Sequence, residues 1–263
     1  MHLRGNNNLL SKFFLLTFLI SFFSCTNNAG PATANATFRT EVSSDDENPY
    51  SRISEIPLPA GFRRIKAPEN SFADWLRKLD LKKDKKVYKY DGSLKTNQSA
   101  QFAVLDITTG KTDLQQCADA VMRLRTEYLY ARQRFGEISF RDNAGVNYLF
   151  NAPYTRAELS KYLNKVFAMC GTASLAKQLK SVPKLADMQT GDVLIRGGFP
   201  GHAVMVIDMA ENTSGKKIYL LAQSYMPAQD IHVKIFSFSL TSYQGESPSF
   251  IGLISTWISC AGI

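Results

Sequence analysis

Gly191-Asp192-Val193-Leu194-Ile195-Arg196-Gly197-Gly198-Phe199-Pro200-Gly201-His202-Ala203-Val204-Met205-Val206-Ile207-Asp208 is the stretch on which the architecture turns. Two runs, 192–195 and 203–208, apolar apart from Asp192 and Asp208, flank a turn rich in glycine and proline. Runs of this length with that punctuation predict two strands joined by a tight connection. His202 opens the second, strongly apolar strand. Its ring is therefore held by a sheet, while the glycines before it leave room for a substrate.

Beyond this hairpin, Ile218 to Ala222, Ile231 to Phe238 and Phe250 to Trp257 predict further strands. Before it the pattern is mainly helical. Ser71 is a candidate cap for a helix with Phe72, Trp75, Leu76 and Leu79 on one face. Val87-Tyr88-Lys89-Tyr90 and Gln101 to Ile107 predict strands. The longest predicted helix runs from an N-cap at Asp113 to Arg134, with Leu114, Cys117, Val121, Leu124 and Tyr128 as its buried stripe. Asp119, Arg123 and Glu127 form a charge ladder at i, i+4 spacing beside that stripe. Ile138-Ser139-Phe140 predicts a short strand, and Thr155–Met169 and Thr172–Lys180 predict two helices broken at Gly171. Helices followed by an antiparallel sheet predict an α+β fold. No internal repeat and no phosphate-binding glycine pattern is present.

The N-terminus has a different character. Arg4 and Lys12 precede Phe13 to Phe23, an apolar run of eleven residues that ends at Ser24-Cys25. A membrane-spanning helix needs roughly 20 apolar residues, whereas a signal-peptide core needs about 7–15. A small residue before cysteine resembles the lipobox of bacterial lipoproteins, which implies cleavage after residue 24 and a lipid on Cys25. Phe22 and Phe23 depart from the stricter form of that motif. Residues 26–50 are small and polar and cannot bury enough surface to offset ordering entropy. The expected organisation is a signal peptide over 1–24, a flexible tether over 25–55 and one domain over 56–263. The expected location is the cell envelope, lipid-anchored and facing the periplasm or exterior.

Loss of residues 1–24 lowers the formal charge from +8 to +6. Lys82, Lys83, Lys85 and Lys86 cluster, which suits a solvated loop or an anionic wall polymer. No nucleic-acid partner is expected of an exported lipoprotein. With Cys25 assigned to lipid, Cys117, Cys170 and Cys260 remain, an odd number in a compartment that favours disulfides. Only His202 and His232 remain as histidines after cleavage. Without Cys-x-x-Cys or His-Glu-x-x-His spacing, neither zinc nor any other cofactor is expected. His232, beside Asp230, reads as a surface residue.

The histidine segment resembles that of CHAP and NlpC-type cysteine amidases and peptidases, which carry a Gly-Asp-Val strand, a loop, and His-Val-Ala on the next strand. Gln116-Cys117-Ala118-Asp119-Ala120-Val121 resembles their nucleophile segment, a cysteine near a helix start. Gln223, in Leu220-Leu221-Ala222-Gln223-Ser224-Tyr225, stands where that family carries its orienting polar residue. The resemblance spans residues 113–226 and implies a papain-like fold with Cys117 as nucleophile, His202 as base and acid, and Gln223 as orienter. Two features run against it. An N-cap at Asp113 buries Cys117 one turn inside the helix, where an inert core thiol also sits. The long separation of Cys117 from His202 requires the helices at 155–180 to be an insertion. Cys170, before the helix at 172, is a rival thiol.

The segments Phe72-Ala73-Asp74-Trp75-Leu76-Arg77, Tyr90-Asp91-Gly92, Gln116 to Leu124 and Ala222 to Gln229 resemble a Bacteroidota-type lipoprotein family known as domain of unknown function 4846. Ser224, Tyr225 and Gln229 group polar atoms just past a buried strand, as candidate binding residues or as partners of their own loop backbone. The expected function is an envelope cysteine amidase or peptidase acting on cell-wall peptide. The alternative is a non-catalytic envelope protein that binds a glycan or peptide around His202 and Gln223.

Overall fold

The computed structural model describes residues 47–182, 184–237 and 256–259. The signal segment, Cys25 and Cys260 lie outside the described residues, as does most of the predicted tether. Ordered contact begins before Ile56: Asn48 and Ile53 are already buried, and Glu47 and Arg52 bridge to Asp84 and Asp80.

The strands are β1 (Phe62–Arg64), β2 (Ala103–Val104), β3 (Ser139–Arg141), β4 (Asn147–Leu149), β5 (Lys180–Ser181), β6 (Val193–Arg196), β7 (His202–Asn212), β8 (Lys217–Gln223), β9 (His232–Ser237) and β10 (Thr256–Ser259). The helices are α1 (Phe72–Arg77), α2 (Cys117–Ala131), α3 (Arg156–Met169) and α4 (Thr172–Gln178). The main sheet runs β2-β9-β8-β7-β6-β10-β5, every pair antiparallel, with β1 on the far end of β7. β3 and β4 form a separate hairpin. The fold is thus mixed α/β with a single large antiparallel sheet, as expected at the coarse level. Val87–Tyr90 makes only isolated bridges, from Tyr88 to Leu94 and Lys89 to Gln229.

β7 is the central strand, buried from Ala203 to Ala210. Its unbroken apolar run reflects cover on both faces. Ala203, Met205 and Ile207 join the main core under α2, whereas Val204 and Val206 join a smaller cluster with Leu194, Tyr219 and Leu221 on the other face. A bulge between Val206 and Asp208 resets this alternation. Asp208 is then gripped from two sides, by Arg64 Nε at 2.7 Å and Arg77 Nε at 2.6 Å. The pair secures β1 and α1 to the distal half of the strand. An acid at Asp208 is tolerated inside because both oxygens are paired.

α2 begins later than the sequence predicts. Its N-cap is Gln116, not Asp113. Asp113 turns away to accept the backbone N–H of Ala228 at 2.6 Å and the amide of Gln116 at 3.2 Å. Asp119 folds back onto the Gln116 N–H at 2.9 Å, one arm of a capping box. It therefore leaves the predicted charge ladder, in which only Arg123 and Glu127 pair. α1 and α3 start where expected, with Ser71 and Thr155 hydroxyls capping Asp74 and Glu158.

Candidate functional site

With the N-cap at Gln116, Cys117 is the first residue of α2 rather than one turn inside it. That places its sulfur at the end of the helix where backbone N–H groups lack intrahelical partners. The N–H groups of Ala203, Ala118 and Cys117 itself all act on the thiol. The Ala203 contact is informative, because that residue follows His202. Ala222, the last apolar residue of β8, pairs with Met205, and Ser224 beyond it leaves the sheet to bond the Gln115 carbonyl at 3.1 Å. The thiol thus meets β7 where β8 has ended, at a strand N–H that has lost its ladder partner.

Alternation sends Ala203, Ala222 and Val233 toward the helices. His202, Gln223 and His232, their neighbours in sequence, are joined to one another instead, side chain to side chain. They form a row across three strands. His202 Nε2 lies 3.0 Å from Gln223 Oε1, Gln223 Nε2 lies 3.1 Å from His232 Nε2, and His232 Nδ1 lies 3.1 Å from the Asp230 carbonyl. Gln223 and His232 are direct cross-strand partners. An amide oxygen only accepts, so His202 donates from Nε2 and carries its basic lone pair on Nδ1. His232, read from sequence as a surface residue, is fully buried. Its neighbour Asp230 is the reason for the misreading. That carboxylate turns elsewhere, to Lys82 at 2.9 Å and the Tyr88 N–H at 3.0 Å.

Burial sets the charge state of both central groups. It pushes the Cys117 thiol up, against the lowering pull of the Ala203 N–H. It pushes the His202 imidazole down, opposed by the Gln223 hydrogen bond. The one shift favours a neutral thiol and the other a neutral imidazole at neutral pH. Cys170, by contrast, ends α3 and is pushed up to about 11 by burial and by the nearby Asp142 charge. It remains with the core side chains. Cys117 and Cys170 are both free thiols.

Of the remaining predicted residues, Tyr225 stands at the site: its ring lies 5.2 Å from that of His202, tilted by 60°. It is half exposed, as is Met226, and Phe199 in the turn before His202 is fully exposed. Ser224 and Gln229 are buried and joined to each other, Ser224 Oγ lying 2.8 Å from the Gln229 carbonyl. They hold the 224–229 loop against the segment that leads into α2. Among the described residues, no group of three or more His, Cys, Asp or Glu side chains is arranged to hold a metal ion. No helix among them is long and apolar enough to cross a membrane.

The family described as Domain of unknown function (4846) matches residues 53–154 and 149–239. These spans include Cys117, His202, Gln223 and His232. Comparison with curated proteins and with solved structures yields no match.

Proposed function

The chain belongs to the domain of unknown function (4846) family, and we propose that its domain is a papain-like cysteine amidase or peptidase, borne on an envelope lipoprotein and acting on cell-wall peptide. The observation that carries this reading is the thiol at the first residue of α2, in contact with the N–H that follows His202. In the proposed reaction, Cys117 sulfur attacks the amide carbon as its proton passes to Nδ1 of His202. The carbonyl π pair moves onto oxygen, and the N–H groups of Cys117 and Ala118, which act on the resting thiol, turn to stabilise it. His202 then returns the proton to the amine as the C–N bond breaks, leaving a thioester. Water, deprotonated by the same imidazole, attacks the thioester and releases acid and free thiol. Because the resting pair is neutral, the imidazole works as a general base rather than facing a preformed thiolate.

Substrate class follows from the proposed location, not from the residues. The test is digestion of purified peptidoglycan by the wild type and by Cys117→Ala, followed by chromatography of the soluble products. Product from the wild type and none from the variant is expected; equal product from both overturns the nucleophile assignment. A second reading, non-catalytic binding of a glycan or peptide around His202 and Gln223, draws on the aromatic rim of Phe199 and Tyr225. It predicts retention of the wild type on peptidoglycan with no soluble product.

A further inference from the structure

His232 takes no part in the reaction outlined above, yet it is buried and hydrogen-bonded on both ring nitrogens. A neutral imidazole carries one N–H. Among the described residues, the group hydrogen-bonded to Nδ1 is the Asp230 carbonyl, which can only accept, so the proton sits on Nδ1 and Nε2 is left as an acceptor. An acceptor at that point admits just one orientation of the Gln223 amide: NH2 toward His232, oxygen toward His202. Turned round, the amide would set its oxygen against the His232 lone pair and its NH2 against the His202 Nε2–H.

We propose that His232 is a positioning residue, which fixes the Gln223 amide and through it the tautomer that leaves His202 basic at Nδ1. The order then reads from backbone to base: Asp230 carbonyl, His232, Gln223, His202. Each link has a fixed donor and a fixed acceptor, so the orientation of the last ring is set by a backbone oxygen three groups away. Burial keeps His232 neutral, pushing it down to about 4, with Lys95, Lys234 and His202 adding to the effect and the Asp230 carbonyl opposing it. Glutamine alone would not select a tautomer, because its amide can turn over. The consequence for turnover rests on the cysteine hydrolase reading; the tautomer lock itself does not.

The test is nitrogen NMR of the full chain, labelled with 15N at its histidine rings, at neutral pH. In the wild type, His202 is expected to carry its proton on Nε2 and His232 on Nδ1. A proton on Nδ1 of His202, or on Nε2 of His232, overturns the proposal before any variant is made. In His232→Leu the acceptor is gone, and His202 is expected to show a mixture of tautomers. In His232→Gln the new amide can donate its NH2 to the Asp230 carbonyl and so turn its oxygen toward Gln223, and the single tautomer is expected to return. A His232→Leu protein that keeps the single Nε2–H form overturns the proposal. On peptidoglycan, His232→Leu is expected to lose about 10- to 100-fold in kcat/KM with KM little changed, and His232→Gln to recover most of it. Absence of turnover in the wild type, with the tautomers as stated, sinks the hydrolase reading and leaves the lock intact. Full turnover in His232→Leu sinks the lock and leaves the hydrolase.

Discussion

Asp119 does two things at once. Its carboxyl closes the N-terminus of α2, and it does so from inside the core, two residues from the thiol. Burial pushes it up to about 8, so it is neutral at pH 7 and adds no negative charge beside Cys117. Between its ordinary 3.8 and that value the folded chain holds a proton which the unfolded chain releases. Stability from this group therefore falls as pH rises, by about 1.4 kcal/mol per unit. His232 has the opposite sign: between 6.5 and about 4 the unfolded chain binds a proton that the folded one refuses, so stability falls as pH falls. Below 6.5 the slope of His232, joined by that of His202, which burial also pushes down, opposes that of Asp119, and from 6.5 to 8 Asp119 dominates. Urea unfolding is expected to show a loss of about 2 kcal/mol from pH 6.5 to 8 in the wild type. Asp119→Asn, which keeps an oxygen for the Gln116 N–H, should lose that dependence; an unchanged slope would assign it elsewhere. Neither group's role was legible in the sequence. Asp119 fits an i, i+4 ladder as well as a capping box, and the choice is made by Asp113, whose carboxylate is drawn off by Ala228, more than a hundred residues away.

The β6–β7 hairpin is the element on which the site depends, and it was the most legible part of the chain. Its strands, its turn and the position of His202 follow from apolar runs and glycines alone. What the pattern does not show is α4 packed beneath the turn. A Cβ at Gly201 would lie 2.1 Å from Thr172 Oγ1 and 2.4 Å from the Gly198 carbonyl. The residue before His202 is therefore glycine for want of space. Gly201→Ala is expected to cost about 1–3 kcal/mol in denaturant unfolding and to displace His202. Adding Thr172→Ala should recover only part of the loss, since the carbonyl clash remains. Wild-type stability for Gly201→Ala would contradict the packing. The same limit applies to α2. Its buried stripe at Val121, Leu124 and Tyr128 was readable from periodicity. Its first residue depended on long-range contacts, and with it the exposure of Cys117 to a helix end.

For the whole molecule, the proposed anchor is tested by metabolic labelling with a tritiated fatty acid. The wild type is expected to take up label and sediment with membranes, and Cys25→Ala to do neither; a labelled Cys25→Ala protein would refute lipidation at that residue. The described fold also has a mechanical consequence if the chain is held from its N-terminus. Tension applied at Glu47 loads the Glu47–Asp84 and Arg52–Asp80 bridges first, and then β1, which pairs with residues 210–212 and is pinned by Arg64 to Asp208. His202 lies at the other end of the same strand, roughly 30 Å away at about 3.3 Å per residue. A pull would peel the N-terminal segment from one end of β7 in steps, while the end that bears the imidazole stayed unstrained.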